Sequence, residues 1–173
     1  MAALVMISGG PAFGSWFGNK QIPDWGLEAA KTHTPDYAND SSAVILFDEY
    51  VETVDAQGRA LEREREAIRI LKPQGRGNTC EVSYDVNEKI NYFRVWAIAA
   101  DEKQYAAQDT DFSEAGDTGV PTMLSTRKSR IAHPPAVDVG ATIICESEEL
   151  LEPFLQEKVW SFQNGIPVVF QDL

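Results

Sequence analysis

From Ser42 onward, hydrophobic and polar residues alternate with a period of two in short runs separated by turn residues. Ala43-Val44-Ile45-Leu46-Phe47 leads into Tyr50-Val51-Glu52-Thr53-Val54, and both read as strand. Asp55-Ala56-Gln57-Gly58 then supplies turn chemistry, its glycine free to take a positive φ. Arg59 to Lys72 follows, so the economical expectation is a hairpin. One local conflict arises in Leu61-Glu62-Arg63-Glu64-Arg65-Glu66-Ala67, which is made of strong helix formers. Strict alternation, however, puts Glu62, Glu64 and Glu66 on one face and Arg63 and Arg65 on the other. That is a strand's period, and Ile68-Arg69-Ile70 continues it.

The rest of the chain keeps the same rhythm. Pro73-Gln74-Gly75-Arg76-Gly77-Asn78 breaks the pattern. Strands are expected over Cys80 to Val86, Ile90 to Ala99 and Lys103 to Asp109, the last two joined at Asp101-Glu102. Residues 110–122 read as a loop. Ser129 to His133 is a short strand ended by Pro134-Pro135, and Gly140 opens another through Glu146. Glu157 to Gln163 alternates again, and Ile166 to Leu173 closes the chain as β-branched and aromatic sequence. The helix candidate is Trp25 to Thr32, with Asp24 placed as its N-cap. Many short strands at regular spacing predict an all-β, antiparallel β-sandwich with a short N-terminal helix or irregular segment.

Composition narrows the class. The 173 residues are 43% hydrophobic and 24% charged, enough apolar content for one core. The formal net charge is −12, from 15 Lys+Arg against 27 Asp+Glu. A surplus of acid argues against nucleic acid as a partner, since phosphate must be met by Lys and Arg. No apolar run approaches the roughly 20 residues that cross a bilayer, so no span is expected. Residues 101–173 hold five basic and thirteen acidic side chains, a distribution that reads as a solvated acidic face or a site for a cation or basic partner.

The two ends are abrupt. Leu4 to Ile7 followed by Ala12-Phe13-Gly14 has the apolar core and small-residue site of a secretory leader, without its basic start. Residues 1–22 are therefore expected to be the remnant of a signal peptide or a flexible terminus, with 23–173 the sandwich. Ending inside a strand leaves unpaired backbone, which predicts a domain truncated at its C-terminal end and an associating edge at Val168 to Leu173.

Candidate chemistry is sparse. Cys80 and Cys145 have no metal-ligand spacing. As a disulfide they would close a long loop, worth about 4 kcal/mol in the chain-entropy model. As lone strand cysteines they would be small buried hydrophobes. A Cys80–His133–Asp138 triad can be assembled on paper, which gives a stand-alone hydrolase as one reading. Asp109 to Asp117 is acidic enough for calcium, but its sixth and twelfth positions hold Glu114 and Val120, not the Gly and Glu of an EF-hand. Trp96, Trp160 and Tyr92, if exposed in a row, would make a carbohydrate-binding module; as core they would be packing. Catalytic, cofactor and metal residues are assigned to none of these.

An ordered series of short motifs resembles a known family. It runs Ala43-Val44-Ile45-Leu46-Phe47-Asp48-Glu49, Asp55-x-x-Gly58, Ile68-Arg69-Ile70-Leu71-Lys72-Pro73-Gln74-Gly75-Arg76, Ser83-Tyr84-Asp85 and Val95-Trp96-Ala97-Ile98. It ends with Ser125-x-x-Lys128, Gly140-Ala141 and Val159-Trp160-Ser161-Phe162-Gln163-x-x-Ile166-Pro167-Val168. The chain resembles the uncharacterised domain that stands N-terminal to transglutaminase-like domains in exported bacterial proteins. The resemblance implies a β-sandwich between a signal peptide and a papain-like Cys-His-Asp domain, in the periplasm or outside the cell. It implies a non-enzymatic role: positioning the downstream domain, its expected partner, or binding that domain's protein or peptide substrate, with a glycan ligand belonging to the competing carbohydrate-binding reading.

Overall fold

The computed structural model describes residues 21–38, 40–85, 88–116, 127–151 and 165–172. Within them the expected all-β architecture of two sheets is present. A long hairpin forms its spine, β1 (Ala43–Val54) and β2 (Ala60–Ile70), paired from Ala43↔Ile70 to Val54↔Ala60 with an irregularity between Ile45 and Phe47. The turn works as its residues dictate. Asp55 Oδ1 accepts the backbone N–H groups of Gln57 and Arg59, both at 2.9 Å, and Gly58 takes a φ of 80°. The alternating Glu/Arg segment is strand, because pairing on both sides overrides its helical propensity.

The small sheet contains β3 (Cys80–Tyr84), β6 (Phe112–Gly116) and β7 (Lys128–Ala132), with β7 in the middle. The large sheet adds β4 (Lys89–Ile98), β5 (Gln104–Ala106), β8 (Thr142–Leu151) and β9 (Gln171–Asp172) to the hairpin, in the order β5-β4-β8-β2-β1-β9. All its pairings are antiparallel except that of β9, which runs parallel to β1.

Among the described residues, both faces of the large sheet are covered over one end. Ile45, Ile68, Ile70, Val95, Ile143 and Cys145 pack toward the small sheet with Cys80 and Ala132. On the other face Val44, Leu46, Ala67, Trp96 and Ile144 pack against Ile22 and the helix α1 (Asp24–Lys31). A Cβ on Gly26 would come within 2.8 Å of the Ile144 side chain, so the helix lies this close only because that position is glycine. Arg69 holds the helix end by donating to the Ala30 and Thr32 carbonyls, groups that the helix itself leaves unpaired. Along β1, burial grades from fully enclosed at Ala43 to exposed at Val54. Among the described residues, the far half of the hairpin thus extends beyond its cover.

Several expectations are corrected. Asp24 lies inside the first turn of α1; Pro23 holds the cap position, and no side chain caps it. The two strand segments of residues 43–54 are one strand, since the bulge near Leu46 absorbs the change of pattern. Within the expected loop at 110–122, Phe112–Gly116 forms an edge strand anchored by the Phe112 ring on Phe93, with centroids 5.5 Å apart. The closing segment narrows to an Ile45–Val168 bridge and the short β9, which lie along β1. Residues 1–20 of the segment expected to be a leader remnant or flexible terminus, the strand expected at 157–163, and Trp160 lie outside the described residues.

Candidate functional site

Beyond the covered end, four strands carry polar side chains on both faces, and register decides which face each joins. On the helix side, Arg65 bridges two strands. Its Nε donates to Glu146 at 2.9 Å and its NH1 to Glu49 at 3.2 Å. Arg63 donates to the same Glu49 at 3.4 Å, and Asn91 donates to Glu148 at 3.0 Å. Arg94 lies 4.3 Å above the Tyr92 ring, and Arg65 lies 5.5 Å from the Trp25 ring centre. Every arginine of this surface meets carboxylate or aromatic.

The opposite face, toward the small sheet, has a different composition. Asp48 stands across from Glu66, which stands across from Cys145. The next rung is Tyr50–Glu64–Ser147, and the next Glu52–Glu62–Glu149. Like charges placed directly opposite on neighbouring strands repel. Burial, with Glu64 and Asp48 adding to it, pushes the Glu66 carboxyl up to about 8. Burial also raises Glu149 to about 7, helped by Glu88 and Glu64 and opposed by Arg127. Glu64 still reaches solvent, yet burial and Asp48 lift it. Asp48 is raised by burial and eased by a 2.9 Å hydrogen bond from Gln171. A cleft of about 20 Å³, room for about one water, opens at the inner end of this ladder. Glu64, Glu66, Glu81, Phe93 and Ser147 line it together with the disulfide.

That disulfide joins Cys80 of β3 to Cys145 of β8, with Cα atoms 6.1 Å apart, and so ties the small sheet to the large one. It settles the fate of the two cysteines and corrects Cys80 as the candidate nucleophile, because Cys80 carries no free thiol. The other members of that triad are apart: Asp138 accepts from Arg76 at 2.6 Å, and the His133 ring meets Ser113. The Ser113 Oγ–His133 Nε2 contact is 3.1 Å and had no sequence signal, since it depends on β6 pairing with β7. Both residues are exposed, and among the described residues no carboxylate is bonded to the ring's other nitrogen. In the acidic loop, Asp111 folds back to accept the Gln108 N–H at 2.7 Å. Among the described residues no three His, Cys, Asp or Glu side chains converge enough to hold a metal. Trp96 is core, 2% exposed, and Tyr92 lies half-buried beneath Arg94, so neither offers a flat platform for a sugar ring.

The sequence profile of DUF3857, a domain of unknown function with a solved structure, matches residues 56–172. The chain belongs to the DUF3857 family. Among solved structures the DUF3857 fold is similar to one described as a "putative protease" from Parabacteroides distasonis ATCC 8503, with a TM-score of 0.57 at 16% identity. The likeness covers 66% of this chain and 24% of that one. No curated protein matches the chain. No described helix is long and apolar enough to cross a membrane.

Proposed function

We propose that this DUF3857 chain serves as a non-catalytic accessory sandwich within a larger exported protein of the transglutaminase-like, papain-type class. There it positions the catalytic domain or holds that domain's protein or peptide substrate. The observation that carries this reading is proportion. The same fold occupies 24% of a chain described as a "putative protease", leaving most of that chain for other parts. The Cys80–Cys145 bond adds support for export, because disulfides persist mainly in oxidising compartments.

Sequencing the genomic DNA on both sides of the reading frame tests it. The expected result is a basic, apolar leader upstream and a Cys-His-Asp domain downstream, in frame. Stop codons on both sides would overturn the accessory role.

A further inference from the structure

A carboxyl, a disulfide and a cleft share one place at the inner end of the ladder. We propose that Cys80–Cys145 is an exchangeable disulfide with Glu66 as its proton donor and acceptor. The carboxyl hands its proton to the Cys145 sulfur when an incoming thiolate breaks the bond, and takes it back when the bond re-forms.

Register supplies the contact. Glu66 stands directly across from Cys145 in the β2–β8 ladder, and side chains so paired have Cβ atoms about 4.5–5.5 Å apart on one face. Both residues line the cleft, as do Cys80 and Glu64. The two sulfurs differ in setting. Cys80 belongs to an edge strand, paired among the described residues with β7, whereas Cys145 lies mid-sheet between β4 and β2. A thiolate that lifts the edge strand meets Cys80, and Cys145 is the leaving group. The attacking sulfur bonds to the Cys80 Sγ, the disulfide breaks, and its electron pair goes to the Cys145 Sγ with the Glu66 proton. A mixed disulfide at Cys80, a Cys145 thiol and a Glu66 carboxylate result.

A leaving thiolate at this place has no cation to rest on, so a proton is the means of neutralising it. Arg63, Arg65 and Arg94 are engaged on the helix face. From the small sheet, Arg130 lies 4.7 Å over the Phe112 ring, Lys128 is level with Tyr84, four residues along β3 from Cys80, and Glu114 accepts from Tyr84. Glu81 alternates with the buried Cys80 and Val82 and is exposed, so its charge lies on the outer side. The charges that bear on Glu66 are Glu64 and Asp48, and with burial they keep it protonated up to about pH 8.

Reduction of the 173-residue chain by excess dithiothreitol from pH 6.5 to 9.5 tests this, with each rate divided by the reagent's thiolate fraction. That quotient should fall about tenfold between pH 7 and 9, as Glu66 loses its proton around pH 8. E66Q should be slower than wild type at pH 7 and flat across the range. D48N, which removes one like charge, should move the fall to lower pH, and E148Q, on the opposite face, should leave it in place. The sign separates proton donation from simple loosening. Carboxylate repulsion alone would destabilise the fold as pH rises and make the bond easier to reduce. A wild-type quotient that is flat or rises with pH, or an unchanged profile in E66Q, would overturn the proposal. So would a rate independent of dithiothreitol concentration, because the bond would then exchange only in the unfolded chain.

Discussion

The same four strands present two surfaces that differ in how they treat charge. Toward the helix, arginines and glutamates interlock: Arg65 bonds both Glu146 and Glu49, Arg63 shares Glu49, and Arg94 stands 3.9 Å from Glu146. Toward the small sheet, Asp48, Glu52, Glu62, Glu64, Glu66 and Glu149 share one surface, and those at the inner end hold their protons unusually tightly. The cause is the period of two in β2. Alternating Glu and Arg gives a nearly neutral segment in sequence, and the pleat sorts it into a mixed face and an acidic one. Net charge along a strand therefore says little about the field that either side presents.

The contrast can be broken most strongly at the staple. Replacing both cysteines, or reducing the bond, should cost about 4 kcal/mol for a loop of 65 residues, read as a lower denaturant midpoint. Next comes the paired face. Glu146 has only 9% of its side chain exposed, so Arg65→Ala leaves a carboxylate with little water, for a loss of about 2–3 kcal/mol by thermal melting. On the acidic face the sign reverses. Glu66→Gln should stabilise the protein by about 1 kcal/mol at pH 8, and the gain should vanish near pH 4, where the wild-type carboxyl is already protonated. A gain that is equal at both pH values would refute the penalty that burial, with Glu64 and Asp48, places on an ionised Glu66.

Acid titration gives the same sign for the whole protein over part of its range. Glu149 and Glu66 have folded pKa values of about 7 and about 8, above the 4.5 they start from. The folded state then binds more protons than the unfolded state between about pH 4.5 and 8, so their contribution falls as pH rises through that window. Melting temperatures from pH 5 to 8.5 should decline in wild type and decline less in Glu66→Gln. The smallest effect belongs to the exposed Arg76–Asp138 pair, where Asp138→Asn should leave the melting curve unchanged.

Much of the fold was legible because strands advertise themselves by alternation and turns by Asp-x-x-Gly or Pro-Gln-Gly. The two faces of β2 could be read from residues 61–67 alone. Which residues stand opposite them could not, because Asp48, Tyr50 and Glu149 reach the ladder through the register of two separate pairings. The same limit left the disulfide as one of two readings, since 65 residues of chain separate partners that only sheet packing brings together. It also hid Ser113 beside His133. Phe112–Gly116 was missed for a local reason: an edge strand needs one buried anchor, and a single Phe among polar residues gives no period to detect.

The parallel pairing of β9 with β1 has a consequence for birth rather than for stability. Asp48 and Gln171, which bond across it, are 123 positions apart. At the roughly 5–20 residues per second of ribosomal synthesis, the outer edge of the first strand waits on the order of 6–25 s for its neighbour to be made. During that interval it is a template for whatever strand passes. A chain held unfolded until its last residues are available would never present that template at all.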